Sequence, residues 1–143
     1  MNRKTLLGDP PPITMTGHDF GRLSALIANF GARREIPFNK SYARVLEFLS
    51  AEVDRARIVH EPADEAPPFV KMGSRVTFRD ETGRIHHGVL VFPSQESPNL
   101  AGISILTPAG AALLGLSEGQ AISYETPDAR IKTITLLTVS PTP

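Results

Sequence analysis

The sequence predicts an α+β protein: an N-terminal antiparallel helical hairpin, a short coiled coil, followed by a small, antiparallel-rich sheet domain with one short helix. Three observations predict it. Apolar residues recur at helical spacing from Phe20 to Ala56. They alternate with a period of two from Arg75 onward. A stretch rich in proline and acid separates the two regimes. The 143-residue length suits one compact domain, or one domain with an appendage. With 41% hydrophobic and 21% charged residues, a packed core is expected and wholesale disorder is not.

Within the first regime, Thr16-Gly17-His18-Asp19 resembles a capping box with Asp in place of Glu, so Thr16 is the expected helix cap. Phe20, Leu23, Ile27 and Phe30 form the stripe of the first helix, and Gly31 supplies its C-cap. After Ile36-Pro37, Asn39 is a second N-cap. Tyr42, Leu46, Leu49, Val53 and Ala56 continue the pattern. At 1.5 Å per residue the helices should measure roughly 20 and 28 Å. Such a hairpin buries little alone and is expected to lean on the C-terminal segment.

Residues 1–12 end in Asp9-Pro10-Pro11-Pro12 and read as a flexible or extended leader, residues 13–59 as the hairpin. Residues 60–68 hold three prolines and three acids, which neither a helix nor a central strand tolerates. They read as a linker to a domain over 69–143. There Arg75 to Arg79 is a strand, Asp80-Glu81-Thr82-Gly83 a turn, and Arg84 to Phe92 a second strand ended by Pro93. Gly102 to Leu106 is a third strand. Thr107 caps a short helix with Pro108 at its first position and Gly115 after its end. Gln120 to Glu125 and Arg130 to Val139 are two more strands around the turn 126–129.

Composition excludes several function classes. Fifteen basic and fifteen acidic residues give no net charge, unlike a dedicated non-specific nucleic-acid binder. The absence of cysteine removes disulfides, thiol nucleophiles and cysteine zinc sites. No apolar run approaches the ~18 residues of a membrane span, and the start has no secretory apolar region. The expectation is a soluble, cytoplasmic protein and a monomer.

Candidate chemistry is sparse. Gly115-Leu116-Ser117-Glu118-Gly119 fits G-x-S-x-G. However, the helix precedes the serine and the strand follows, the reverse of a nucleophile elbow, so a helix end and turn is the better reading. His86 and His87 are adjacent on a strand and diverge, so they do not chelate one metal; no metal or other cofactor is expected. Glu61, Asp64 and Glu65 lie in the linker, where nothing fixes the separation that a catalytic pair needs. Arg33-Arg34-Glu35 at the hairpin tip is either a solvated turn or a contact, in a hairpin carrying seven basic and five acidic residues over 16–58.

The run from Ile103 to Leu116, containing Thr107-Pro108-Ala109-Gly110-Ala111-Ala112-Leu113-Leu114-Gly115, followed by Glu118-Gly119-Gln120, closely resembles the Gre-factor C-terminal signature. Met72-Gly73-Ser74-Arg75-Val76-Thr77-Phe78 resembles its entry strand. Pro108 to Leu116 and Glu52-Val53-Asp54-Arg55-Ala56 are similar to one branch, the regulator of nucleoside diphosphate kinase (Rnk) family. The resemblance covers about residues 13–139 and is most specific in the C-terminal half. It implies an FKBP-like C-terminal domain and bacterial RNA polymerase as partner. The domain would dock at the rim of the secondary channel, with the hairpin directed inward.

Thr107 and Pro108 match the Ser-Pro with which Gre factors meet polymerase; Leu106 stands where those factors carry an acid. The implied docking patch is Leu106, Thr107 and Pro108, and the implied tip is Arg33, Arg34 and Glu35. Cleavage factors carry paired carboxylates at the tip to complete a catalytic Mg²⁺ site. One carboxylate beside two guanidinium groups does not supply it. The resemblance thus implies a polymerase-binding transcription regulator without catalytic residues, competing with Gre factors and reading no nucleic-acid sequence. Three readings stay open beside it: a cleavage factor with an unusual tip, a peptidyl-prolyl isomerase with a poor aromatic lining, and an adaptor of nucleoside diphosphate kinase.

Overall fold

A computed structural model describes residues 10–32, 40–60, 68–93, 101–126 and 128–140. The five strands and the short helix expected after the linker are all present. They are β3 (Arg75–Arg79), β4 (Ile85–Val91), β5 (Gly102–Ser104), α3 (Pro108–Leu113), β6 (Ala121–Glu125) and β7 (Ile131–Ser140). Before them come β1 (Thr14–Thr16), α1 (Gly17–Ala32), α2 (Lys40–Arg55) and β2 (Arg57–Val59).

The main sheet has the order β5-β4-β3-β7-β6, antiparallel except for the β4/β5 pair. A register shift between Thr77 and Phe78 lets β7 bend across β3. Asp80 makes the β3–β4 turn: its carboxylate accepts from the Thr82 and Arg84 backbone N–H groups at 2.9 and 3.0 Å, with Gly83 at φ +86°. The period-two pattern puts Val76, Phe78, Ile122, Ile134 and Leu136 on one face, where they are buried. Ala111, Ala112, Leu113, Leu114 and Leu116 are buried in the same core.

The hairpin leans on this core as expected. Val45, Leu49 and Val53 of α2 and Leu23 of α1 belong to the same cluster as Leu113 and Leu136. Two parts of its predicted pattern differ. Phe20 is 40% exposed, and the buried row of α1 is Asp19 and Leu23 with Leu26 and Ile27 beside it. In α2 the predicted stripe omits Val45, which is buried, while Leu46 is only partly covered. The side chains of Phe30 and Tyr42 fall outside the described set, as does Asn39.

The second helix is also shorter than its apolar pattern suggests. It stops at Arg55, so both helices have 16 residues, about 24 Å. Arg57-Ile58-Val59 instead pairs in parallel with Thr14-Met15-Thr16. The β-branched pair Ile58-Val59 suits a strand better than a final helical turn. This two-stranded sheet brings the end of α2 back to the start of α1, so the helices run in opposite senses.

The base of the hairpin is stitched into the C-terminal segment. Arg57 N–H donates to Ile13 O, Thr14 N–H to Gly115 O, and Gly115 N–H to Val70 O, at 3.0, 3.1 and 3.0 Å. Gly115 has φ +82°, and a Cβ there would lie 2.8 Å from Ile13 Cβ. Arg55 forks onto Glu52 at 2.9 and 2.7 Å and donates a third bond to Pro11 O at 2.6 Å. Pro11, read from sequence as leader, is therefore fastened to α2.

Candidate docking surface

The turn from β5 into α3 is built on Ser104. Its carbonyl accepts from Thr107 N–H at 3.0 Å and from the Thr107 hydroxyl at 2.7 Å. Its own hydroxyl accepts from Leu106 N–H at 3.1 Å. Thr107, at φ −95° and ψ 154°, then caps α3 by accepting from Gly110 N–H at 3.1 Å. Pro108 occupies the first helical position, where its missing N–H has no cost. Four groups are thus satisfied within seven residues, and the turn is rigid.

This geometry separates the three residues that the sequence groups as a patch. Thr107 is exposed and Pro108 half-buried, whereas Leu106 is 6% exposed and packs in the core. Leu106 supports the turn from beneath; Thr107 and Pro108 form its surface. Arg33, Arg34 and Glu35 lie outside the described residues, as do Glu61, Asp64 and Glu65.

The turn stands between two depressions. On one side Pro108 and Ala111 meet Val45 and Phe48 of α2 in a seam whose free space of about 10 Å³ holds no more than one water. Arg44 and Glu125 close it with an ion pair at 3.3 Å. On the other side Ala109 borders an open cup of about 310 Å³, at the small end of the ~300–1,000 Å³ typical of ligand clefts. Sequence reasoning missed this cup, because Phe78, Ile103, Tyr124 and Ile134 reach it from four different strands. The period-two alternation, which puts Phe78, Tyr124 and Ile134 on one face, was the available signal.

The cup's polar groups are unequal. His86 stacks on Phe78 with ring centroids 5.0 Å apart, and its Nε2 meets Asp80 Oδ2 at 2.8 Å. That bond, with those from Thr82 and Arg84, holds the Asp80 carboxyl well below the ordinary carboxylate range. Burial, then the charges of Glu81 and Asp80, push the Tyr124 hydroxyl above its usual value. His87 pairs with Thr77, where its Nδ1 lies 3.0 Å from Thr77 Oγ1, and it too borders the cup.

Elsewhere the chemistry is structural. Gly115 and Gly119 have φ +82° and +88° around Ser117, the helix end and turn expected of that motif. No group of three or more His, Asp or Glu side chains that could hold a metal converges among the described residues. No described helix is long and apolar enough to cross a membrane. Thr16 does cap α1, accepting from Asp19 N–H at 3.1 Å. The reciprocal half of the capping box is absent. Asp19 Oδ2 accepts instead from Met72 N–H at 3.0 Å, and burial pushes its carboxyl above the usual value.

Residues 65–141 match the family of transcription elongation factors GreA/GreB, C-terminal part, and residues 11–59 match the Rnk N-terminus. The chain belongs to the GreA/GreB family, in its Rnk branch. This Gre-family chain is 37% identical over 84 residues to the regulator of nucleoside diphosphate kinase of Escherichia coli strain K12, 58% of the chain and 61% of that regulator. It is 26% identical over 119 residues to transcription elongation factor GreA of Thermomicrobium roseum, covering 83% of the chain and 74% of the factor. Among solved structures, a GreA/GreB elongation factor from Nitrosomonas europaea superposes with a TM-score of 0.64 at 30% identity. The match covers 90% of this chain and 98% of the other. The mixed helix and curled-sheet architecture is therefore Gre-like.

Proposed function

We propose that this chain is a transcription regulator that docks on bacterial RNA polymerase near its secondary channel, through Thr107 and Pro108 and the adjoining cup, and does not cleave transcripts. The carrying observation is the β5–α3 turn. It is held by hydrogen bonds from Ser104 through Gly110, exposes Thr107 and Pro108, and stands beside an open concavity. A rigid turn positions a contact with little loss of conformational entropy on binding. It lies inside the region matching transcription elongation factors, which supports polymerase as the partner.

The connection between α1 and α2 contains Arg33, Arg34 and Glu35. Paired carboxylates would be needed to complete a catalytic metal site, and two guanidinium groups beside one carboxylate oppose a divalent cation. The tip therefore occupies the channel without supplying cleavage chemistry, and the chain competes there with cleavage-competent Gre factors. Its place is the cytoplasm, with the transcription machinery.

The test is binding of the full chain to core RNA polymerase, with a Gre factor as competitor. Saturable binding lost to the competitor, and weakened at least tenfold by Pro108→Asp, is expected. Absence of binding overturns the proposal. RNA shortening in stalled elongation complexes, if the chain stimulates it, removes the non-cleaving part alone.

A further inference from the structure

Two side chains of opposite charge at the rim of the cup make no hydrogen bond or ion pair among the described residues. Asp80 is fully engaged, accepting from Thr82 N–H and hydroxyl, Arg84 N–H and His86. Next to it Glu81 is exposed, and no hydrogen bond or ion pair engages it among the described residues. Lys132, on β7 opposite Tyr124, makes no hydrogen bond or ion pair among the described residues, though its charge acts on Asp128, and it also borders the cup. Glu81 and Tyr124 line the same cup. The cup is also lined by Ile103, which is partly exposed and which an apolar group would cover, with the buried Phe78 and Ile134 beneath.

We propose that the cup holds a protein segment presenting one apolar side chain flanked by a basic residue on the Glu81 side and an acidic residue on the Lys132 side. Charge complementarity sets this choice. A nucleic-acid backbone would meet a carboxylate at the rim, and a wholly apolar ligand would leave both ions unanswered. Glu81 and Lys132 then fix the direction of the bound segment, since the reversed segment sets like charges against like. The inference rests on the polymerase reading only in naming polymerase as the carrier of that segment.

Two measurements separate the claims. In the first, amide shifts of Phe78, Ile103 and Ile134 in the full ¹⁵N-labelled chain are followed during titration with acetyl-Lys-Leu-Glu-amide, its reverse, and acetyl-Ala-Leu-Ala-amide. One charged order should bind about three- to tenfold tighter than the neutral peptide, the yield of two exposed ion pairs. Glu81→Lys should abolish that preference, and 0.5 M salt should reduce it. No shifts with any peptide, equal binding of all three, or a preference unchanged in Glu81→Lys overturns the proposal.

In the second, polymerase binding is compared for the parent, Glu81→Lys, Lys132→Glu and Thr138→Lys, the last being a charge change at an exposed position on β7 outside the cup. The first two should weaken binding about fivefold and the third should not. Parental binding in Glu81→Lys and Lys132→Glu overturns polymerase as the carrier. Absence of binding by the parent itself overturns the proposed function, while the peptide measurement still decides the cup.

Discussion

Replacing Gly110 by alanine sets two physical effects against each other. Alanine is the better helix former by about 1 kcal/mol, and Gly110 lies inside α3. Yet a Cβ at this position would stand 2.0 Å from Ser104 O, 2.9 Å from Ser104 C and 3.0 Å from Thr107 Oγ1. The obstacle is backbone, and Ser104 O is pinned by two bonds from Thr107. Reaching an ordinary 3.4 Å contact from 2.0 Å requires a displacement of about 1.4 Å. That motion breaks the Thr107 cap, about 1 kcal/mol, and the Thr107–Ser104 hydroxyl bond, about another 1 kcal/mol. It also strains a packed core by about 1–3 kcal/mol.

After subtracting the propensity gain, Gly110→Ala should lose about 2–4 kcal/mol, a fall in Tm of about 8–16 °C for a domain of this size. Thermal unfolding followed by far-ultraviolet circular dichroism reads it directly. Gly21→Ala is the matched control: it lies in α1 with nothing within 4 Å of the added Cβ, and it should gain about 0.5–1 kcal/mol. A Tm for Gly110→Ala at or above the parent would refute the reasoning, because it would mean that α3 can leave Ser104 freely.

Three further outcomes follow from other contacts. Arg55→Ala leaves the buried Glu52 carboxylate without its fork and Pro11 O without its donor, so it should cost about 3 kcal/mol in urea unfolding; adding Glu52→Gln should restore part of that loss. Asp80 has a folded-state pKa below its ordinary 3.8, so its contribution is present above about pH 4 and fades as pH falls further. Asp80→Asn should therefore be less stable than the parent at pH 7, with the two denaturation midpoints converging on acidification below pH 4. Ala129, at φ 64° in the turn after β6, is the one described non-glycine residue in the left-handed region; Ala129→Gly should gain about 0.5–1 kcal/mol in the same denaturation assay.

The C-terminal segment was legible because its signals are local. Alternation in Arg75–Arg79, the Asp80–Gly83 turn, and Thr107-Pro108 before a small-residue run each name an element within a few residues. The parallel pairing of 14–16 with 57–59 was not legible. Three-residue strands carry almost no period, and their partners are separated by the whole hairpin. Asp19 shows a different limit. It sits where a capping box puts its acid, so local chemistry assigns it to Thr16. Its side chain goes 53 residues away to Met72, a choice made by the packing of α1 on the domain.

The site divides along the same line. Thr107 and Pro108 could be placed on a helix start from sequence, but the burial of Leu106 could not, since β5 ends at Ser104 before its alternation can set the face. That burial bears on recognition. A side chain at position 106 offers no charge to a partner in this fold, because it points into the core beside Ile105 and Leu113. Any electrostatic steering at this surface must come from residues that the chain places elsewhere. Glu81 and Lys132, which line the same cup as Ala109, are charges that make no hydrogen bond or ion pair among the described residues. A charge reversal at Glu81 should then change the salt dependence of binding, whereas Leu106→Asp should act through stability, by burying an unpaired carboxylate.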